Sequence, residues 1–252
     1  MEGNLIRDFF RACSFTFKSF EKINSRETLE KAAESFGLLP FFPNNVRGLS
    51  VEEMCVPGML FGGNHDEGCW EWKGPVLRNK KLAYGKFFRK KAGFVSLEFL
   101  PDFLNYRRSK YSITPNSTEE ILLEIIREND SLTSTELKKL IFGNKKRTGW
   151  DELPEINNSN FYNPKRKSLE GPLQRLQMGG WIVISDFEYK ITKRGERYGW
   201  GVARYSTPEI HFKDELENIS DLTPEESFSR MIDTMKKRWP LFSKKELTKL
   251  LI

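Results

Sequence analysis

Apolar positions recur at helical spacing over most of the chain and at a spacing of two in a few short runs. Asn4 to Phe20 is apolar around much of its surface and reads as a helix. Ser25 opens SRETLEKAAESF, with Glu27 in the first turn and Gly37 at the stop, so a second helix is expected there. LPFFPNN breaks the pattern, and Ser50 and Glu53 have capping-box spacing for a short helix before Pro57-Gly58.

From 69 to 100 the period changes to two. Trp70 and Trp72 alternate with Cys69, Glu71 and Lys73 and read as a strand. LAYGKFFR follows a turn at Arg78-Asn79-Lys80, and Lys90-Lys91-Ala92-Gly93 makes another. In FVSLEFL, Val95, Leu97 and Phe99 share a face, and Pro101 ends the run. These three strands form a β-meander, and DFLNYRRSK supplies a short helix after it.

Residues 117–205 carry the clearest pattern. Ser117-x-x-Glu120 caps a helix with Ile121, Leu122, Ile125 and Ile126 apolar. Thr133-x-x-Glu136 caps another, with Leu137, Leu140 and Ile141, stopped by Gly143. A polar loop holds Lys145-Lys146-Arg147. A third helix, about Lys165 to Met178, ends in PLQRLQMGG. WIVISDFEY, the charged turn KITKRGER and YGWGVARY then form a hairpin. Helix, helix, helix and two-stranded wing is the order of a winged helix-turn-helix. In the tail, Thr223-Pro224-Glu225-Glu226 and Ser243-x-x-Glu246 cap two final helices, and the last needs a packing partner to be stable. The pattern predicts an α+β fold, mostly helical with a small antiparallel β-meander. Four parts are expected: an N-terminal helical segment (1–60), a basic meander with a short helix (61–116), a winged helix-turn-helix (117–205) and C-terminal helices (206–252).

Composition narrows the classes. The 252 residues are 38% hydrophobic and 30% charged, ordinary for a globular protein. No run of about 18 apolar residues occurs, so no membrane span is expected. The start lacks a clean apolar run with a small-residue cleavage site, and the three cysteines are odd in number and widely spaced. A cytoplasmic protein without a disulfide framework is expected. The net charge of +6 is mild, but residues 61–116 alone hold 11 basic and 5 acidic side chains. Such localised excess points to a polyanion partner.

Catalytic motifs are sparse. Gly63-Asn64-His65-Asp66 resembles a piece of a di-metal phosphoesterase signature, but that chemistry needs more ligands than His65 and His211 can supply. His65, Asp66, Glu67 and Cys69 match no zinc spacing, and a turn is the better reading. No phosphate-binding glycine loop and no nucleophile elbow occurs. No metal and no cofactor, nucleotide or otherwise, is expected. Glu71, between Trp70 and Trp72, is the candidate catalytic acid or base, because apolar walls raise a carboxyl pKa; Glu98 is a weaker one.

The cations suit nucleic acid. Lys73, Lys80, Lys81, Lys86, Arg89, Lys90 and Lys91 interleave with Trp72, Tyr84, Phe87 and Phe88. Cations neutralise phosphates and aromatic faces stack on bases. In the third helix Lys165, Arg166, Lys167, Gln174, Arg175 and Gln177 are expected to be exposed toward phosphates and base edges. Lys190, Lys193, Arg194 and Arg197 mark the wing tip. Pro172 inside that helix should kink it or start it there. Double-stranded DNA is the expected partner; the oligomeric state is not legible.

The run CWEWKGPV…YGKFFRKKAGFVSLEFLPDFLNYRR, with PLQRLQMGGWIVISDF and YGWGVARY, resembles a bacterial family described as AlkZ-related, over about residues 69–205. That family sits near winged-helix DNA glycosylases that excise alkylated or crosslinked bases. The resemblance implies tandem winged-helix domains forming a DNA-binding cradle, and it raises base excision as an activity. Those glycosylases position the attacking water with a Gln-x-Gln or Gln-x-Asp pair. This chain has two glutamines, Gln174 and Gln177, three apart, and neither pair occurs. The resemblance therefore implies fold and DNA contact more than reaction. Three readings follow: a winged-helix DNA-binding protein related to repair glycosylases and without their reaction; an active glycosylase using a carboxylate such as Glu71; and a protein-interaction scaffold.

Overall fold

The computed structural model describes residues 22–62, 67–142, 168–195, 197–213, 216 and 220–252. The expected helix at Asn4 to Phe20, the Gly63–Asp66 turn and the Lys145-Lys146-Arg147 loop lie outside these. The fold is α+β, and its described helices and strands gather around two apolar cores.

The first core begins with α1 (Arg26–Phe36). Ser25 caps it by accepting from the Thr28 N–H at 3.2 Å, and Leu29, Ala32, Ala33 and Phe36 form its buried face. Gly37 ends it with φ +74°, where an added Cβ would lie 2.3 Å from the Phe99 ring. Only glycine fits both the left-handed backbone and that contact. β1 (Leu38–Pro40) follows directly, and α2 (Val51–Met54) is capped by Ser50.

Residues expected to form the first meander strand are instead a helix, α3 (Cys69–Arg78). The Glu71 carboxylate accepts the Gly68 N–H at 3.1 Å and closes the helix start. Cys69, Trp72, Lys73, Val76 and Leu77, at helical spacing, are its buried face. Buried Cys55 and Cys69 are free thiols with sulfurs 3.0 Å apart, and burial pushes both thiol pKa values up. The expected hairpin forms from β2 (Leu82–Phe88) and β3 (Lys91–Ser96), but its turn is Arg89-Lys90. Lys91 to Gly93 are strand where a turn is expected, and β3 ends at Ser96, short of Leu97 and Phe99. The third strand of its sheet is β1, giving the antiparallel order β1-β3-β2.

α4 (Leu100–Lys110) then lies against α9 (Pro224–Arg238), on which α10 (Lys244–Leu251) packs in turn. Asp102, only 4% exposed, takes the Arg230 guanidinium at 2.6 Å. Trp239 stacks on Phe36 with ring centroids 3.9 Å apart. The tail helices thus complete the first core, with Leu247, Leu250 and Leu251 buried in it.

The second core belongs to α5 (Thr118–Glu128), β4 (Ser131–Thr133), α6 (Ser134–Phe142) and α7 (Glu170–Met178), while β5 (Val183–Ile191), which pairs with β6 (Arg197–Ser206), buries Val183, Ile184 and Phe187 in the first core. A short helix, α8 (Pro208–His211), follows β6. Thr133 and Glu136 form the expected capping pair, and the Thr133 N–H and hydroxyl hold the Glu136 carboxyl below its usual pKa. Strand β4, not anticipated, pairs with β6, and the sheet order is β4-β6-β5. Pro172 lies in the first turn of α7, where its missing N–H has no intrahelical partner to lose.

The two cores meet at β2. This strand is at the edge of its sheet and shifts register between Gly85 and Phe88. Lys86 N–H donates to Gln177 Oε1 of α7 at 3.0 Å, and the Phe87 carbonyl accepts from the buried Arg107 guanidinium of α4. Gln177 Nε2 donates in turn to Leu173 O at 3.1 Å. Gln177 is 1% exposed, so its expected role as an exposed base-edge reader is corrected: its amide serves the protein's own backbone.

Replacing Gln177 by Leu leaves a buried N–H unpaired and is expected to cost about 2 kcal/mol of stability. Gln174→Leu, at a half-buried position, should cost well under half of that. Urea unfolding of the two variants checks the difference.

Candidate nucleic-acid interface

Cations are presented first at the β2–β3 turn. Arg89 and Lys90 have φ of +49° and +69°. Two left-handed residues in sequence are what a primed hairpin turn demands, and Asn-Gly meets that demand with least strain. Here two exposed cations occupy the turn instead. Arg89 Nε donates to the Ile252 carbonyl at 2.7 Å, and Lys91 Nζ donates to Pro43 O at 2.7 Å. Neither Arg89 nor Lys91 has an Asp or Glu partner among the described residues. Lys86 is half-buried, with Nζ 3.5 Å from Glu170. Lys81 is held by Glu30 at 2.9 Å and Glu34 at 3.6 Å.

The second group belongs to α7 and the β5–β6 hairpin. Lys165, Arg166 and Lys167 lie outside the described residues. Gln174 is half-buried, and Arg175 is exposed and paired with Glu119 of α5. Lys190, Lys193 and Arg194 at the hairpin end are exposed and have no acidic partner among the described residues. Arg197 pairs with Ile191 at the start of β6, and its side chain lies outside the description.

Glu71 is a half-buried helix cap, not a residue walled between two tryptophans on a strand. Glu98 pairs with Arg238. Among the described residues no three His, Cys, Asp or Glu side chains gather as a metal site.

Two features escaped sequence reasoning. The first is Lys73, expected among the phosphate contacts and found 2% exposed. Its Nζ lies 3.2 Å from the centre of the Trp70 ring, 4.6 Å from that of Phe187, and donates to Trp70 O at 2.8 Å. Burial brings its pKa down to about 7, opposed by the nearby Glu71 charge. The second is a set of partly exposed rings. Trp200 of β6 meets Trp70 at 5.6 Å and 88°, and Phe61 meets Trp70 at 5.8 Å. Trp70 and Trp72 marked the aromatic excess in the sequence, but nothing in the spacing joined them to a residue 130 positions away.

The folded protein releases the Lys73 proton near pH 7, whereas the unfolded chain holds it to about 10.5. Between those values the unfolded state binds more protons, so stability rises with pH, and below 7 this contribution is flat at its minimum. Lys73→Met should remove the rise and stabilise most at pH 6. Thermal melts from pH 6 to 9.5 check both slopes.

Comparison with known proteins adds three findings. No curated protein matches the chain. Among solved structures, the DNA glycosylase AlkZ of Streptomyces sahachiroi is similar at 14% identity with a TM-score of 0.46, over 94% of this chain and 62% of that one. The chain therefore spans less than two thirds of that glycosylase. A family model described as AlkZ related matches residues 23–252. That match takes in both cores and the C-terminal helices, and the chain belongs to the AlkZ-related family.

Proposed function

We propose that this protein is a winged-helix DNA-binding protein, related to DNA-repair glycosylases, that contacts the phosphates of double-stranded DNA through cationic hairpin ends. The observation carrying this reading is the β5–β6 hairpin. It follows a helix–strand–helix and α7, pairs in the order β4-β6-β5, and ends in exposed Lys190, Lys193 and Arg194. A hairpin in that place is the wing of a winged helix, and wings lie along the DNA backbone or in a groove. The Arg89-Lys90 turn supports it. Left-handed non-glycine residues are strained, and a fold keeps them where the side chains have a task.

Base excision is the second reading from sequence. It has less support: Glu71 is engaged as a cap, and Gln177, one of the chain's two glutamines, is buried in a backbone contact. Phosphate contact needs neither residue.

Two experiments test the proposal. Lys193→Ala with Arg194→Ala should weaken binding of a plain duplex about tenfold and lower the salt slope by about 2, since each phosphate contact contributes about 0.9. Fluorescence anisotropy across a salt series reads both, and binding that ignores salt overturns the proposal. Replacing Arg89-Lys90 by Asn-Gly should stabilise the fold by about 1–2 kcal/mol through relief of strain while weakening DNA binding. Stability gained with affinity unchanged would make the turn's cations idle.

A further inference from the structure

The exposed rings beside the outer half of the wing form a feature that phosphate contact does not use. Trp200 is 73% exposed and Phe61 54%, a wasteful placement for large apolar side chains in a fold that buries most of its others. Their arrangement is ordered. Lys73 Nζ sits against the Trp70 ring from within the core, Phe42 approaches that ring at 6.1 Å, and Phe61 and Trp200 flank it. The edge-on contact of Trp200 with Trp70, at 88°, anchors one indole while leaving Trp200 open to solvent. Gly199, with φ +73°, immediately precedes Trp200 in β6. The same hairpin that carries Trp200 ends in the exposed cations Lys190, Lys193 and Arg194.

A nucleotide has two halves, an anionic phosphate and a flat π face. Hairpin and rings offer the complement of both: cations at the tip and, three residues into β6, an open, buttressed indole. Aliphatic side chains would suit an ordinary protein partner equally well, whereas the two most exposed side chains of this patch, Trp200 and Phe61, are rings. We infer that Trp200, supported by Trp70 and Phe61, is a stacking shelf for an unpaired nucleobase of DNA, one bulged or displaced from the duplex whose phosphates the wing holds. This inference rests on the DNA-binding reading and adds to it a preference for interrupted duplexes. It requires no bond to be made or broken.

The test uses the full chain and two duplexes of one sequence, one fully paired and one with a single bulged 2-aminopurine. Affinity is read by anisotropy and base stacking by 2-aminopurine fluorescence. Wild type should bind the bulged duplex about tenfold more tightly and quench its fluorescence, the scale expected for one stacked base. Trp200→Ala should abolish preference and quenching while keeping its affinity for the paired duplex. Trp200→Phe should retain most of both. Phe61→Ala, remote from the wing cations in sequence, should reduce the preference partway. Equal affinity of wild type for the two duplexes, or loss of affinity for both alike in Trp200→Ala, overturns the shelf and leaves the phosphate reading standing. Failure of wild type to bind either duplex at low salt overturns the DNA reading itself.

Discussion

Strand β2 leaves backbone groups that its own sheet does not satisfy, and much of the molecule is arranged around that fact. It is an edge strand, its register shifts between Gly85 and Phe88, and its groups are buried. A buried unpaired N–H or C=O costs on the order of 1–3 kcal/mol. Gln177 meets the Lys86 N–H from α7, and Arg107 meets the Phe87 carbonyl from α4. The Gln177 contact joins α7 of the second core to the strand, and the Arg107 contact ties α4 to it within the first core. Burial holds the Arg107 pKa below its usual value, yet the neighbouring rings of Phe103 and Tyr111 keep a cation tolerable there.

α4 extends this role along its length. Asp102 binds Arg230 of α9, Asn105 donates to Leu222 O at 2.6 Å, and Arg108 reaches Glu209 at 2.6 Å and Gly180 O at 3.2 Å. Just beyond its end, Tyr111 O accepts the Trp181 indole N–H at 2.7 Å. One helix therefore binds α9 on one side and the α7–β5 connection on another. Its buried polar residues are why it shows little apolar periodicity. The sequence DFLNYRRSK predicts a short helix and is silent on its being the central post.

How far the sequence speaks depends on the range of the interaction. Helix starts at Ser25, Ser50, Ser117, Thr133, Thr223 and Ser243 were legible, because a cap is a contact over three residues. α3 was misread because Trp70 and Trp72 fit a period of two while Cys69, Trp72 and Val76 fit a helix equally well. The decision lay with the Gly68–Glu71 cap, whose first member has no side chain to signal it. β1 was hidden by its three-residue length and its closing proline. Of the candidate site, the cationic turn and wing were legible as composition. Gln177, Lys73 and the Trp70–Trp200 contact were not, since each depends on a partner that only the tertiary fold supplies.

On the proposed DNA-binding function, the arrangement separates two demands made of such a surface. Phosphate contact requires cations free of carboxylates, and these lie at hairpin ends, away from the cores, where extended side chains stay hydrated. Stacking of a base requires a rigid apolar face, and the rings lie beside the outer half of the hairpin, where Trp70 is held from below by Lys73 and from the side by Phe42. Moving Lys73 to the surface would add one more phosphate contact but remove the support beneath Trp70. A lysine with a pKa brought down to about 7 is the electrostatic trace of that choice: near neutral pH it carries only part of a charge and acts as packing. The basic excess of residues 61–116 is therefore not all available to a polyanion. Part of it builds the platform, and the cations left for DNA are those that no carboxylate or aromatic ring has claimed.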